Sequence, residues 1–405
     1  MNKTINLKIK SRFVEEYQDK YPLIQKEIFQ NIEDLNEEGI IINLLSPNNK
    51  FIAKGYYGRQ NKGYGWVLSY NKEEQIDKTF FINKIKNAIT YRKDFYEDAK
   101  NNITTAFRVL NGEGDKLGGL TIDYFDGYYM LTWYSLGIYS FKNTILEALQ
   151  EVLKQDKTYK GIYEKKRFDT KGQYLDSKSD FVCGLQAPAP IIVRENNVNF
   201  AVYLDDGAMT GIFLDQKDVR KNIRDKYANK KTMLNAFSYT GAFSIYAALG
   251  GAKKTTSVDL AKRSLLKTSE QFEVNNIDVN SQEIIVDDVF NYFKYAVKKQ
   301  FKFDMVVLDP PSFARSKKIT FSVSKDYVKL LKEAIQITNK NGIIVASTNS
   351  ANFGIMKFRQ FIEKAFKELK EKYEILETFS LPKDFKVDDN FRQGNYLKVV
   401  FIKKK

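Results

Sequence analysis

Histidine is absent from the 405-residue chain, and cysteine occurs once, at Cys183. The first absence removes imidazole general bases and histidine-ligated zinc or iron centres, so no metal is expected. The second excludes disulfide frameworks and thiolate clusters and fits a reducing compartment; the lone thiol reads as a small buried residue. No run approaches the roughly 18 apolar residues that a membrane-spanning helix requires, and Met1-Asn2-Lys3-Thr4 opens no apolar leader. The expectation is a soluble cytoplasmic protein with no membrane partner.

With 43% hydrophobic residues and 30 phenylalanines the chain can bury sizeable cores, and its length implies two or three domains. A formal charge of +15 and a pI of about 9.3 suit a polyanionic partner. Lysine, asparagine and isoleucine are frequent, as an AT-rich genome would also produce, so charge alone discriminates weakly.

The richest stretch runs from Met233 to Phe313, where Asp259, Asp288 and Asp309 each follow a short apolar strand. The first strand, 232–237, breaks at Ser238-Tyr239-Thr240-Gly241 and enters an alanine-rich helix whose first N–H groups face a crevice. Asp259 ends the next strand about 20 residues past the turn, the spacing at which a carboxylate holds a ribose diol in a doubly wound sheet. The third strand, 283–286, ends in Asp287-Asp288, and the fourth, 304–308, in Asp309-Pro310-Pro311-Ser312-Phe313. A dinucleotide fingerprint would need three spaced glycines; this turn has only Gly241, with Asn235, Phe237 and Tyr239 where small residues are wanted. A nucleoside cofactor without phosphates fits better, and the two prolines stiffen a turn beside the reacting atoms.

These residues resemble the class I S-adenosylmethionine-dependent methyltransferases of large-subunit (23S) ribosomal RNA that begin with a PUA domain. The resemblance covers nearly the whole chain and rests on Phe213-Leu214-Asp215-Gln216-Lys217-Asp218-Val219-Arg220, on 235–243, on Val258-Asp259, on Asp287-Asp288-Val289-Phe290 and on 309–313. It implies a Rossmann-like catalytic domain with a seven-stranded mixed sheet, preceded by a small β-barrel and a small mixed α/β domain. It implies S-adenosylmethionine as cofactor, with S-adenosylhomocysteine as product. Asp259 would bind the ribose, Asp288 the adenine amine, and Ser238 with Phe237, Tyr239 and Gly241 the methionine end. Asp215, Gln216 and Arg220 would close the site, and Asp309 would also line the cofactor. Taken singly, each carboxylate reads equally as a strand-end cap or surface charge.

Three segments follow. Residues 1–73 show short alternating strands and turn signals at 46–49 and 61–63, and Ala53-Lys54-Gly55-Tyr56-Tyr57-Gly58-Arg59-Gln60 resembles the RNA-binding PUA domain. Tyr57 and Arg59 are its candidate RNA contacts, although Tyr56, Tyr57 and Trp66 equally suit barrel filling. Residues 74–199 comprise a helical link, 80–100, and a small α/β (EEHEE-like) domain in which Arg108, Asp115 and Asp123 fall on the family's recurring motif or serve turns and salt bridges. The catalytic domain spans 200–405, entered through Ala187-Pro188-Ala189-Pro190.

The acceptor atom is constrained by what the family uses elsewhere. Methylation at carbon 5 of a pyrimidine needs a thiolate to add at carbon 6, and the cytosine-methylating members carry it in a Ser-Cys-Ser context on the strand after Asp-Pro-Pro. Here that strand ends Ser347-Thr348-Asn349-Ser350, so Asn349 stands where the thiol would be. Guanine N7 has an exposed lone pair and no proton to lose, so alignment and exclusion of water suffice. The branch resembling the guanine-N7 methyltransferase domain bears Ser-Asn at this place, where this chain has Thr348-Asn349. Asp309, Pro310, Phe313 and Asn349 are the candidate catalytic residues, with Phe313 stacking on the flipped base and Arg315, Lys317 and Lys318 binding phosphates, unless this run is a solvated loop. The alternatives are methylation of an exocyclic base amine, which Ser312 disfavours because amine enzymes place an aromatic directly after Pro-Pro; 5-methylcytosine formation; and a non-catalytic RNA-binding assembly factor. A homodimer is compatible with the sequence, which does not determine it.

Overall fold

The computed structural model describes residues 4–30, 32, 35–60, 63–169, 179–205, 210–315 and 320–405. The chain forms two compact units, one of Met1–Arg194, Val202–Thr210 and Lys383–Gly394, the other of Glu195–Ala201, Gly211–Pro382 and Asn395–Lys405.

The first unit contains two sheets. Thr4–Lys8, Ile41–Leu45, Phe51–Gln60 and Gly63–Ser69 form a four-stranded sheet whose first pair is parallel. Asn61 and Lys62 of the expected turn lie outside the described residues. The second sheet orders Ala106–Asn111, Leu120–Phe125, Tyr128–Trp133, Gly161–Lys166 and Ser179–Gly184. The crossover through helix Lys142–Leu153 makes its third and fourth strands parallel, as a helical connection between neighbouring strands must.

The helical link is not continuous. Lys78–Tyr91 and Lys93–Lys100 are separate helices, because Arg92 between them turns inward. Its wholly buried guanidinium donates to both Asp115 carboxylate oxygens, at 3.0 and 2.8 Å, and to the carbonyl of Asp384. Arg108 pairs with Asp123 at 2.6 Å, so the motif's three charges serve this unit's architecture. Cys183 is half-buried rather than buried, accepting a hydrogen bond from Gln150 Nε2 at 3.2 Å.

The second unit is a seven-stranded mixed sheet in the order Glu283–Val286, Lys254–Asp259, Thr232–Ala236, Phe303–Leu308, Thr338–Thr348, Lys398–Lys404, Tyr373–Phe379. The first five strands run parallel, and Lys398–Lys404 is antiparallel to both neighbours. Its central strands are apolar on both faces because helices cover both. Leu234, Ala236, Val306, Leu308, Ile344 and Ala346 enter one core, with residues of helices Val289–Lys298, Val323–Ile337 and Ile355–Glu368. The alternating Met233, Met305, Val307 and Val345 enter the other, with Val219, Phe243 and Ala247. Thr232–Ala236 has its sequence successor on one side and Phe303–Leu308 on the other, and a crevice opens at the carboxyl ends of strands where the order reverses in this way.

Candidate active site

Register brings the functional turns to one level. Ala236 pairs with Val258 and Leu308, and Leu308 with Ala346, so Phe237, Asp259, Asp309 and Ser347 lie at one level along the sheet edge.

The turn after the first strand is held in unusual backbone conformations. Phe237 and Tyr239 have φ of 60° and 52°, and Gly241 has φ of 77°. Non-glycine residues adopt this left-handed region only where the surroundings enforce it. Here they do: Ser238 N–H donates to the Val258 carbonyl at 3.0 Å, and Tyr239 N–H to Asp259 Oδ2 at 2.9 Å. A Cβ on Gly241 would also lie 2.5 Å from Thr268 Cγ2. Gly241 opens helix Ala242–Leu249, whose first turn no side chain caps, leaving N–H dipoles directed at the crevice.

Asp259 Oδ1 accepts from Ala261 N–H at 2.9 Å, so both its oxygens are oriented by backbone while each keeps a lone pair for a diol. Asp288 caps helix Val289–Lys298, with Oδ1 accepting from Phe290 and Asn291 N–H at 2.9 and 3.4 Å. Phe237 packs near Phe290 and Phe321, with ring centroids 6.1 and 6.5 Å away. Oriented hydroxyl acceptors, uncapped helix N–H groups and an aromatic wall suit a nucleoside bearing an amino-acid tail.

The edge around Asp309 is organised differently. Asp309 is half-buried, followed by a buried Pro310 and the exposed Pro311 and Ser312. Gln216 Nε2 donates to Asp309 Oδ2 at 2.7 Å. Burial pushes the Asp309 carboxyl up to about 6; hydrogen bonds from Gln216 and Ser347 oppose this, Asp215 adds to it and Arg220 counters it. Asn349 is exposed just beyond strand Thr338–Thr348, and its Oδ1 accepts from Ser312 Oγ at 2.5 Å.

In the segment before the core, Asp215 accepts from Tyr396 OH at 2.9 Å. Arg220 is only 2% exposed, and its Nε and Nη2 each donate to Glu195 at 2.8 Å while Nη2 also reaches the Phe213 carbonyl at 2.7 Å. Its Nε and Nη2 are thus engaged in a buried ion pair and in holding the Phe213 carbonyl, so Arg220 fixes the loop from behind. Glu195 and Tyr246, whose OH donates to Glu195 at 2.9 Å, carried no local sequence signal. Tyr396 and Ser347 were equally silent, being ordinary residues beside ordinary strands.

Phe313–Arg315 is a short strand paired antiparallel with Thr320–Ser322; Lys317 and Lys318 lie outside the described residues. In the first unit Tyr57 is 5% exposed, packed edge-on to Tyr64 within the apolar core of its sheet. A side chain with so little free surface serves packing, which corrects its assignment as an RNA contact. Arg59 is accessible and donates from Nε to Glu38 at 2.9 Å.

No helix among the described residues is long and apolar enough to cross a membrane. The family description "S-adenosylmethionine-dependent methyltransferase" matches residues 108–391, and that of a PUA-like domain residues 7–70. A Bacillus subtilis (strain 168) protein named "Putative ribosomal RNA large subunit methyltransferase YwbD" is 57% identical over 386 residues, covering 95% of this chain and 96% of that protein. An Aliivibrio fischeri (strain ATCC 700601 / ES114) protein named "Ribosomal RNA large subunit methyltransferase I" is 29% identical over 380 residues, covering 94% of each. The crystal structure of SMU.776 complexed with SAH superposes with a TM-score of 0.89 at 39% identity, covering 98% of this chain and 100% of that one.

Proposed function

The chain belongs to the S-adenosylmethionine-dependent methyltransferase family, and on that premise we propose that it methylates large-subunit ribosomal RNA at N7 of a guanine. The residues of the crevice fit the cofactor: Asp259 would hold the ribose diol, Asp288 the adenine amine, and the uncapped start of helix Ala242–Leu249 with Ser238, Tyr239 and Gly241 the methionine end. When bound, it supplies an electrophilic methyl group on a sulfonium.

The observation that carries the guanine reading is the Ser312–Asn349 hydrogen bond. Ser312 Oγ occupies Asn349 Oδ1, which directs the Asn349 amide nitrogen, a donor, toward the base. Guanine O6, beside N7, is an acceptor that this donor would hold. No proton leaves N7, so no general base is required. Positive charge develops on the imidazole ring during transfer, and the Asp309 carboxylate, desolvated and oriented by Gln216, stabilises it. Pro310 and Pro311 stiffen the turn that presents the base, and Phe313 stacks on it.

Delivery of RNA falls to the PUA-like segment, with Arg59 accessible on it, and to the basic run Arg315, Lys317 and Lys318, through phosphate contacts that weaken with salt. We assign residues 1–73 to RNA binding, 74–199 to the link and small α/β domain, and 200–405 to catalysis, acting on ribosomal RNA in the cytoplasm. A second reading, methylation of an exocyclic amine, is favoured by Asp309 itself, since a carboxylate accepts an amine N–H.

The test is chemical. Methylation at N7 labilises the glycosidic bond after borohydride reduction, so aniline should cleave the RNA at one guanosine in the wild type and nowhere new in a deletion strain. Loss of a methylated amine or of 5-methylcytidine from the deletion strain's nucleosides, with the guanosine cleavage unchanged, overturns the assignment.

A further inference from the structure

We propose that Gln216 is a positioning residue that holds Asp309 for the acceptor atom and sets the pH at which methyl transfer begins, rather than a contact to the cofactor. The proposal rests on the reading that Asp309 faces the acceptor. Gln216 is 5% exposed and both ends of its amide are engaged within the protein: Nε2 donates to Asp309 Oδ2 at 2.7 Å, and Oε1 lies 3.5 Å from the Ser347 hydroxyl. With one Nε2 hydrogen on Asp309 and the oxygen turned to Ser347, the amide plane is set by protein partners.

Its location is imposed from outside the turn. The wholly buried Glu195 holds Arg220 through two 2.8 Å hydrogen bonds, Arg220 holds the Phe213 carbonyl at 2.7 Å, and Gln216 sits between the residues so fixed. Asp215 is drawn elsewhere by Tyr396 OH. The hydroxyl and amide that reach Asp309 are those of Ser347 and Gln216, which favour its charged form, while through space the Asp215 charge opposes that form and the Arg220 charge favours it. The Tyr327 phenol, kept neutral by burial, donates to the Ser347 carbonyl at 2.7 Å and adds no charge. Among the described residues Gln216 is the amide that donates to the carboxylate.

Removing that donor leaves burial less opposed, so the carboxyl must take up its proton at higher pH. Replacing it with a second carboxyl, at the same 2.7 Å separation, makes two acids share one proton.

The experiment is a carbon-13 NMR titration of the full chain labelled at aspartate carboxyls, with the Asp309 resonance identified by its loss in Asp309→Asn. Gln216→Leu should raise the Asp309 midpoint by about one pH unit, and the nearly isosteric Gln216→Glu by more. Calorimetry at pH 8 should find S-adenosylmethionine affinity within about threefold of wild type in both variants, which also verifies folding. An unmoved midpoint overturns the proposal, and lost cofactor affinity with an unmoved midpoint makes Gln216 a cofactor contact. The titration requires no RNA, so its failure is separable from that of the guanine reading. With substrate, the acid limb of the kcat profile should shift by the same amount as the midpoint, and a stationary limb would also overturn the proposal.

Discussion

On the half of the sheet edge that we assign to the cofactor, carboxylates are oriented by the backbone of nearby turns: Asp259 by the amides of Tyr239 and Ala261, Asp288 by those of Phe290 and Asn291. On the acceptor half, side chains distant in sequence orient one another, Gln216 with Asp309, Ser312 with Asn349, and Tyr396 with Asp215. Backbone amides come with any chain that makes the turn, so the first half tolerates change around it. The second exists only when several segments pack together, and a single substitution there removes both an orientation and the charge state that depends on it. Binding and chemistry are thus expected to separate under mutation.

The largest separation should come from Asp309→Asn. Removing the carboxylate from beside the developing charge is expected to lower kcat on the order of a hundred- to a thousandfold, with the cofactor dissociation constant, measured by calorimetry, changed less than about threefold. An equal loss in both quantities would erase the division between the halves. Asp259→Ala should do the reverse, weakening cofactor binding by on the order of 3 kcal/mol, roughly a hundredfold, through lost charge-assisted hydrogen bonds to the diol. Unchanged affinity in the same titration removes Asp259 from the site.

A smaller effect is expected of Asn349→Ala, about ten- to a hundredfold in kcat, if its amide orients the base through one hydrogen bond; single-turnover rates with saturating cofactor measure it. The smallest concerns stability. Burial raises the Asp309 carboxyl from 3.8 to about 6. The stability this group contributes is complete below its unfolded value and is lost as pH rises through about 6. Asp309→Asn should therefore raise the melting temperature at pH 7.5 by a few degrees, and the gain should vanish near pH 3.5. For the same reason transfer by the wild type should decline as pH falls through about 6, because the protonated carboxyl cannot balance the charge on the base.

The comparison also separates what could be read early. Asp259, Asp288 and Asp309 were legible because each ends an apolar strand, and strand ends in a parallel sheet share one edge. For Arg220 the motif position placed it near the crevice but did not reveal Glu195, buried 25 residues earlier and reached only through tertiary packing. Tyr57 stayed open between RNA contact and barrel filling because an aromatic beside an arginine suits both until its burial is known. The break at Arg92 was not legible because its buried partners, Asp115 and the Asp384 carbonyl, are met only through tertiary packing.

By itself, the sequence determined the doubly wound sheet, the shared edge of the strand-end carboxylates, the family and the absence of histidine and of a cysteine in the catalytic segment. These follow from period-two apolar patterns, from a turn with one glycine, and from residue types that are present or absent, all of them short-range properties of a chain. Only the tertiary structure decided that Gln216 lies on Asp309, that Glu195 holds the loop beneath it, and that Ser312 turns the Asn349 amide. Those pairings depend on which buried polar groups find partners once distant segments pack. An unpartnered buried polar group costs about 1–3 kcal/mol, so the packed fold selects among arrangements that local sequence leaves open.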